Sequence, residues 1–393
     1  MSYRSGRHFL QIPGPSPVPD RILRAMDMPV IDHRGPTFGD LGARVLEKLK
    51  GVFKTECPVI VFPASGTGAW EAALVNVLSP GDKVLMFETG QFASLWHELA
   101  TRIGLDPEFI PGDWRHGVDP EKVAARLRED TNHEIKAVCC VHNETSTGVT
   151  SRIGDVRKAI DATGHPALFM VDTISGLASA DYRHDEWGVD VTISGSQKGL
   201  MLPPGISFNC ASKKALDAHE NSGFKKSYWD WGSMLGNNAS GFFPYTPATN
   251  MLYGLEEALK MILDEEGLEN VFTRHKRHAK ATRIAVEAWG LEVLCLVEEE
   301  HSPVLTTVLL PDGHDADKVR SIILEKFDMS LGTGLGKVKG KVFRIGHLGD
   351  INDLTLLGAL SGVEMGLKLA GVPIKDGGVQ AAMAYLSETA QEV

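Results

Sequence analysis

Between residues 59 and 194 the chain alternates short apolar runs with longer helix-like stretches, and no other feature restricts the fold as much. The runs occupy residues 59–62, 83–87, 137–142, 167–172 and 189–194, with helical stretches such as 95–103 and 120–128 between them. Ala167-Leu168-Phe169-Met170-Val171-Asp172 is apolar at consecutive positions rather than at every second one, the pattern of a strand covered on both faces. The expected fold is therefore α/β, a mainly parallel sheet with helices on either side. A long helix at 250–266 leads away from it. Beyond lie helix 268–289, strand 304–309, helix 315–327, a glycine-rich segment 331–340, strand 342–345 and helix 355–369, which read as a smaller α+β domain. A chain of 393 residues exceeds the ~250–300 at which one core usually divides. The expected division is an N-terminal segment 1–20, a large domain 21–266 and a small C-terminal domain 267–393.

Composition narrows the partners. No run approaches the ~20 apolar residues of a membrane-spanning helix, and a formal net charge of -11 argues against nucleic acid. Small molecules remain. The cysteines at 57, 139, 140, 210 and 295 lack paired metal-ligand spacing, so no metal site is expected. Cys139 and Cys140 sit in an apolar strand and read as buried structural thiols. Unpaired thiols suit a reducing compartment. Residues 1–8 carry no secretory pattern, and Gln391-Glu392-Val393 matches no peroxisomal tripeptide, so the expected location is cytoplasmic.

Three local features carry chemistry. A β-rich run enters a helix-like stretch through the small turn Ser65-Gly66-Thr67-Gly68, where free backbone N–H groups and the positive end of the helix suit a phosphate. Asp172 ends a buried strand, where acids face the ligand crevice of an α/β sheet and can keep a pyridine nitrogen protonated. Lys198 stands among small residues in Ser194-Gly195-Ser196-Gln197-Lys198-Gly199, as an amine that must reach an aldehyde and move a proton requires. Singly each has an ordinary reading: a loop lysine, a helix cap, a turn that is neither a dinucleotide fingerprint nor a P-loop. Together, in this chain order, they describe a pyridoxal phosphate site.

The same residues fall in longer matching stretches: Pro13-Gly14-Pro15-Ser16-Pro17, Asp32-His33-Arg34, residues 64–76, His142-Asn143-Glu144-Thr145-Ser146-Thr147-Gly148, Ser196-Gln197-Lys198, Tyr245-Thr246-Pro247 and Arg344-Ile345-Gly346. Through them the chain resembles the class V aminotransferases of pyridoxal phosphate fold type I, nearly end to end. The resemblance implies a seven-stranded, mainly parallel sheet in the large domain and a homodimer with shared active sites. It implies that Ser65, Gly66, Thr67 and Gln197 hold the cofactor phosphate, with Thr246 contributed across the subunit interface. Phe92, where many relatives carry tryptophan, is expected to stack on the ring, and Thr145 to meet the ring oxygen. Asp172 and Lys198 are the expected catalytic pair, and Arg344 the site of the substrate carboxylate. His33, His142, Asp32 and Arg34 stay outside the catalytic set. The implied activity is transfer of the amino group of L-serine to glyoxylate, giving hydroxypyruvate and glycine by a ping-pong route. Alanine as donor and pyruvate as acceptor are the near alternatives, with cysteine desulfuration and a non-enzymatic binder further off.

Overall fold

The computed structural model describes residues 5–390, so Met1 to Arg4 and the C-terminal tripeptide Gln391 to Val393 lie outside the described residues. The strands, in chain order, are β1 (Phe9–Gln11), β2 (Val59–Phe62), β3 (Lys83–Phe87), β4 (Asp106–Ile110), β5 (Ile135–Val141), β6 (Asn143–Glu144) and β7 (Val149–Thr150). They continue with β8 (Leu168–Asp172), β9 (Val191–Gly195), β10 (Ser207–Ala211), β11 (Glu292–Val293), β12 (Leu305–Leu309), β13 (Met329–Thr333) and β14 (Val342–Gly346). Seven of them form one sheet in the order β2-β10-β9-β8-β5-β3-β4. Only β10 runs against its neighbours in that sheet.

The consecutive apolar pattern has the predicted cause. All five residues of β8 are buried, and they alternate between two cores: Phe169 and Val171 enter one, Leu168 and Met170 the other. Each face is covered by helices, among them Gly66–Val77 on one side and Pro36–Phe53 on the other. With both faces covered, a ligand is left the crevice at the strand ends, where Asp172 closes β8 and Gly195 closes β9.

Two strands of this sheet are absent from the sequence expectation. β4 carries Pro107 and lies at the sheet edge, where a missing N–H leaves no ladder partner unsatisfied. β10, Ser207-Phe208-Asn209-Cys210-Ala211, mixes polar and apolar residues yet is fully buried; the side chain of Asn209 is satisfied by the carbonyl of Ala69 at 3.1 Å.

The second sheet has the order β1-β13-β14-β12-β11, backed by the long helix Leu268–Ala288 and by Asp353–Leu369. The glycine-rich segment is not all loop, since its first residues belong to β13. The N-terminal segment also joins this sheet, because β1 pairs parallel with β13. From there the chain crosses to the large sheet, where the backbone N–H of Ser16 donates to the carbonyl of Gln197 at 2.9 Å. The connecting helix is α-helical over Thr249–Leu259 and widens to a π-helix over Lys260–Glu266. Among the described residues all five cysteines are free, and no helix is long and apolar enough to cross a membrane.

Candidate active site

At the strand-end crevice lies a cavity of about 250 Å³. Ser65, Gly66, Thr67, Phe92, Thr145, Asp172, Gln197 and Lys198 all line it. Two predicted residues do not. Arg344 stands just behind the wall, and Thr246 is exposed on a separate segment.

Ser65 is the N-cap of the Gly66–Val77 helix, but its side chain makes no capping hydrogen bond. The first-turn N–H groups have no acceptor within the helix, and they open at the cavity beside the helix's positive end. Close by, the side-chain oxygen of Gln197 is buried without a hydrogen-bond partner. The uncapped turn forms a wall suited to an anion, and the unpartnered Gln197 oxygen beside it awaits a donor.

Asp172 forms the opposite kind of wall. It is 4% exposed; Oδ1 accepts the backbone N–H of Ile174 at 2.7 Å and Oδ2 accepts the indole Nε1–H of Trp70 at 3.0 Å. Burial pushes its carboxyl up to about 7, and the negative charge of Glu144 pushes the same way, while the two hydrogen bonds and Lys198 pull it back. A cationic group facing it restores the carboxylate.

Lys198, 7% exposed, follows β9 in a turn. Burial brings its amine down to about 7, helped by the positive charge of Arg344 and opposed by Asp172 and Glu144. A lysine in that state is uncharged much of the time at neutral pH and therefore nucleophilic. Its Nζ donates to the carbonyl of Pro13, so the N-terminal segment caps the cavity. Here only glycine fits at position 14: φ is +98°, and a Cβ would lie 2.3 Å from the Lys198 side chain.

Arg344 occupies the middle of β14. Nε donates to the carbonyl of Thr333 at 2.7 Å and Nη1 to that of Thr145 at 2.6 Å. Both partners are neutral carbonyls. Burial lowers its guanidinium to about 10, so a carboxylate arriving from the cavity side would find a desolvated, geometrically fixed cation.

Residues missed by sequence reasoning are Trp70, Ile174, Asn143, Ser175 and Gly14, which line the cavity, and Glu144, which supports it from behind. The signal for Trp70 was its position one helical turn after Gly66. His142 is packing: it is buried beside Tyr182 and Trp187, and burial lowers it to about 4. Asp32, His33 and Arg34 are not in the cavity wall, nor is any cysteine. The arrangement can hold an anion at one end, a cationic ring against Asp172, a reactive amine beside it, and a carboxylate near Arg344.

Comparison with known proteins agrees with this geometry. The Aminotransferase class-V family profile matches residues 9–337. The chain is 50% identical over 392 residues to the serine--glyoxylate aminotransferase of Methylorubrum extorquens, covering 98% of this chain and 97% of that one. It is 45% identical over 380 residues to the L-aspartate--glyoxylate aminotransferase of Paracoccus denitrificans, covering 96% of each. The crystal structure of ureidoglycine-glyoxylate aminotransferase from Bacillus subtilis superposes with a TM-score of 0.91 at 29% identity, covering 98% of this chain and 100% of that one.

Proposed function

Since the chain belongs to the class-V aminotransferases, we propose that it moves the amino group of L-serine to glyoxylate, giving hydroxypyruvate and glycine, with pyridoxal 5'-phosphate as cofactor. The observation that carries this reading is the buried pair of Asp172 and Lys198 on one cavity, an acid awaiting a cation and an amine that burial makes ready to lose its proton.

The donor set fits the cofactor. Ser65, Gly66, Thr67 and the amide N–H groups of Gln197 would hold the phosphate, Phe92 would lie against the ring, Thr145 would meet the ring oxygen, and Asp172 would hold the ring nitrogen's proton. When bound, the cofactor supplies an aldehyde for amines and a ring that withdraws electrons from the substrate carbon. The chain does the rest. Lys198 Nζ takes the α-proton of the donor and returns it in the reverse half of the reaction. Trp70 and Ile174 fix Asp172 so that its charge stays aimed into the cavity. Arg344 orients the substrate carboxylate, and Pro13 and Gly14 shield the amine from water.

Small uncharged side chains suit the cavity because Lys198 is the one basic residue in its wall, which leaves nothing to pair with a second carboxylate. Serine is favoured over alanine by the 50% identity to a serine--glyoxylate enzyme. A homodimer is part of the proposal: Thr246 is exposed and lies outside the cavity wall of its own chain, free to reach a partner's. Five free thiols support a reducing, cytoplasmic setting. A donor screen tests the reading: with glyoxylate as acceptor, serine should exceed alanine and aspartate in kcat/KM. Aspartate as the best donor would overturn the substrate assignment and leave the aminotransferase reading intact.

A further inference from the structure

The helix Gln91–Arg102 places Phe92 on the cavity wall, yet it begins at a residue that cannot cap it. Its N-cap is Gly90, which has no side chain. A helix start needs acceptors for its first N–H groups, and here they come from a distant turn. The backbone N–H of Gln91 donates to Ser146 Oγ at 2.9 Å. The N–H of Phe92 donates to Glu144 Oε1 at 3.3 Å and that of Ala93 to Glu144 Oε2 at 3.0 Å. Ser146 Oγ in turn donates to Glu144 Oε1 at 2.7 Å. Glycine at 90 is required by the approach of this cap, because a Cβ there would lie 2.4 Å from both Glu144 Cγ and Ser146 Oγ.

We propose that Glu144 is a positioning residue: by capping the Gln91–Arg102 helix from across the site, it fixes where the ring of Phe92 lies in the cavity. The proposal rests on the functional reading above for what the ring faces, and on the hydrogen bonds alone for the cap.

The chemistry of the contacts agrees. The hydrogen-bond partners of the Glu144 carboxylate are donors: the N–H groups of Phe92, Ala93 and Ser146 and the hydroxyl of Ser146. An acid that kept its own proton would have to turn an O–H toward one of them, so this donor set selects the ionised form. A negative charge at the positive end of a helix is favourable besides. Glu144 is buried, and burial pushes its carboxyl up while these four hydrogen bonds pull it back. The turn that carries it is itself tied down: the N–H of Gly148 donates to the Glu144 carbonyl at 2.9 Å, and β6 pairs with β7. The cap is therefore rigid at its source. The same charge also influences Asp172, Lys198 and Arg344, and this second influence must be separated from the cap by experiment.

Amide hydrogen exchange on the full-length chain, with and without cofactor, makes that separation. Glu144→Ala should speed exchange at residues 91–94 by roughly 10-fold or more, as expected for a lost cap, with the helix Leu268–Ala288 unchanged. The dissociation constant for pyridoxal phosphate should rise, and Phe92→Ala should raise it comparably. If Glu144 acts through the ring, the double variant Phe92→Ala/Glu144→Ala should bind no more weakly than the weaker single variant. Losses that multiply would assign Glu144 a purely electrostatic role and overturn the proposal, as would unchanged exchange at 91–94. If Glu144→Ala does not fold, Glu144→Gln serves instead: it keeps one acceptor and should loosen the amide of Phe92 or of Ala93 but not both. A wild-type chain that binds no pyridoxal phosphate would defeat the functional reading while the exchange pattern still decides the cap.

Discussion

The floor and the rim of the cavity are built differently. The floor, Asp172 with Trp70 and Lys198 with Pro13, is buried, and each polar side chain there is held by a partner from the same chain. The rim, the segment of Tyr245 and Thr246 that on the proposed dimer is lent to the partner's cavity, has no such closure. Tyr245 stacks on Tyr228 with ring centres 4.3 Å apart, and Thr246 beside it is exposed and outside the cavity wall. The difference teaches that reactivity is set within one subunit, whereas full grip on the cofactor requires, on the proposed dimer, a second. Changes on the floor should alter chemistry, and changes on the rim should alter cofactor retention.

The largest effect is expected at Lys198. Lys198→Ala should lower turnover by more than ~10³-fold, since both the amine and the proton carrier are lost, while circular dichroism stays native. Residual turnover near wild type would break the comparison at its base. Arg344→Lys comes next. A charge-assisted hydrogen bond contributes about 1.5–3 kcal/mol, so loss of the planar fork should lower kcat/KM at least ~10-fold in both half-reactions. Stopped-flow with serine, and with glyoxylate on the amino form, measures the two separately.

Trp70→Phe is smaller and sharper. It removes the N–H on Asp172 Oδ2 while keeping an aromatic body, so cofactor affinity should fall by up to ~10-fold through a less acidic Asp172. Equilibrium dialysis reads it. Thr246→Ala should be of similar size, about 10-fold weaker retention for one hydroxyl hydrogen bond to the phosphate lost, with kcat unchanged at saturating cofactor. A kcat loss instead would move Thr246 from the rim into the chemistry. Shared sites make one further demand: Lys198→Ala mixed with Thr246→Glu should recover activity in mixed dimers, because one of their two sites is then free of both changes. No recovery, with mixed dimers shown to form, would count against them.

The floor also has a pH signature. The Lys198 amine is depressed to about 7, whereas Lys213, exposed and paired with Asp217, is raised. An amine reacts only after losing its proton, so acylation of Lys198 in the unloaded chain should climb as pH rises through about 7. Lys213 should react only in alkaline solution. Peptide mapping after labelling at pH 6, 7 and 8, chosen on the order of one unit about that midpoint, follows both. Equal rates at every pH would mean that the buried amine is not depressed.

These contrasts also explain what could be read in advance. β8 was legible because two dry faces leave five consecutive buried residues, and Asp172, Lys198 and Ser65 because each sits where a strand end meets a small-residue turn. β10 was hidden by Ser207 and Asn209, and the amide of Asn209 becomes acceptable only once the helix behind it offers the carbonyl of Ala69. The three residues of β1 give too little pattern to announce a strand whose partner, β13, lies more than three hundred residues away. Trp70 and Glu144 were unread for the same reason. Their roles depend on which atoms the packed fold brings to them, an aspartate from β8 in one case and the start of a helix in the other.

The central claim is that one amine, Lys198, is the point of attachment. After loading the protein with pyridoxal phosphate and reducing with borohydride, peptide mapping should place the pyridoxyl group on Lys198, with one equivalent per chain expected for a single reactive amine. A label on Lys213, Lys214 or another surface lysine, with Lys198 unmodified, would contradict the account.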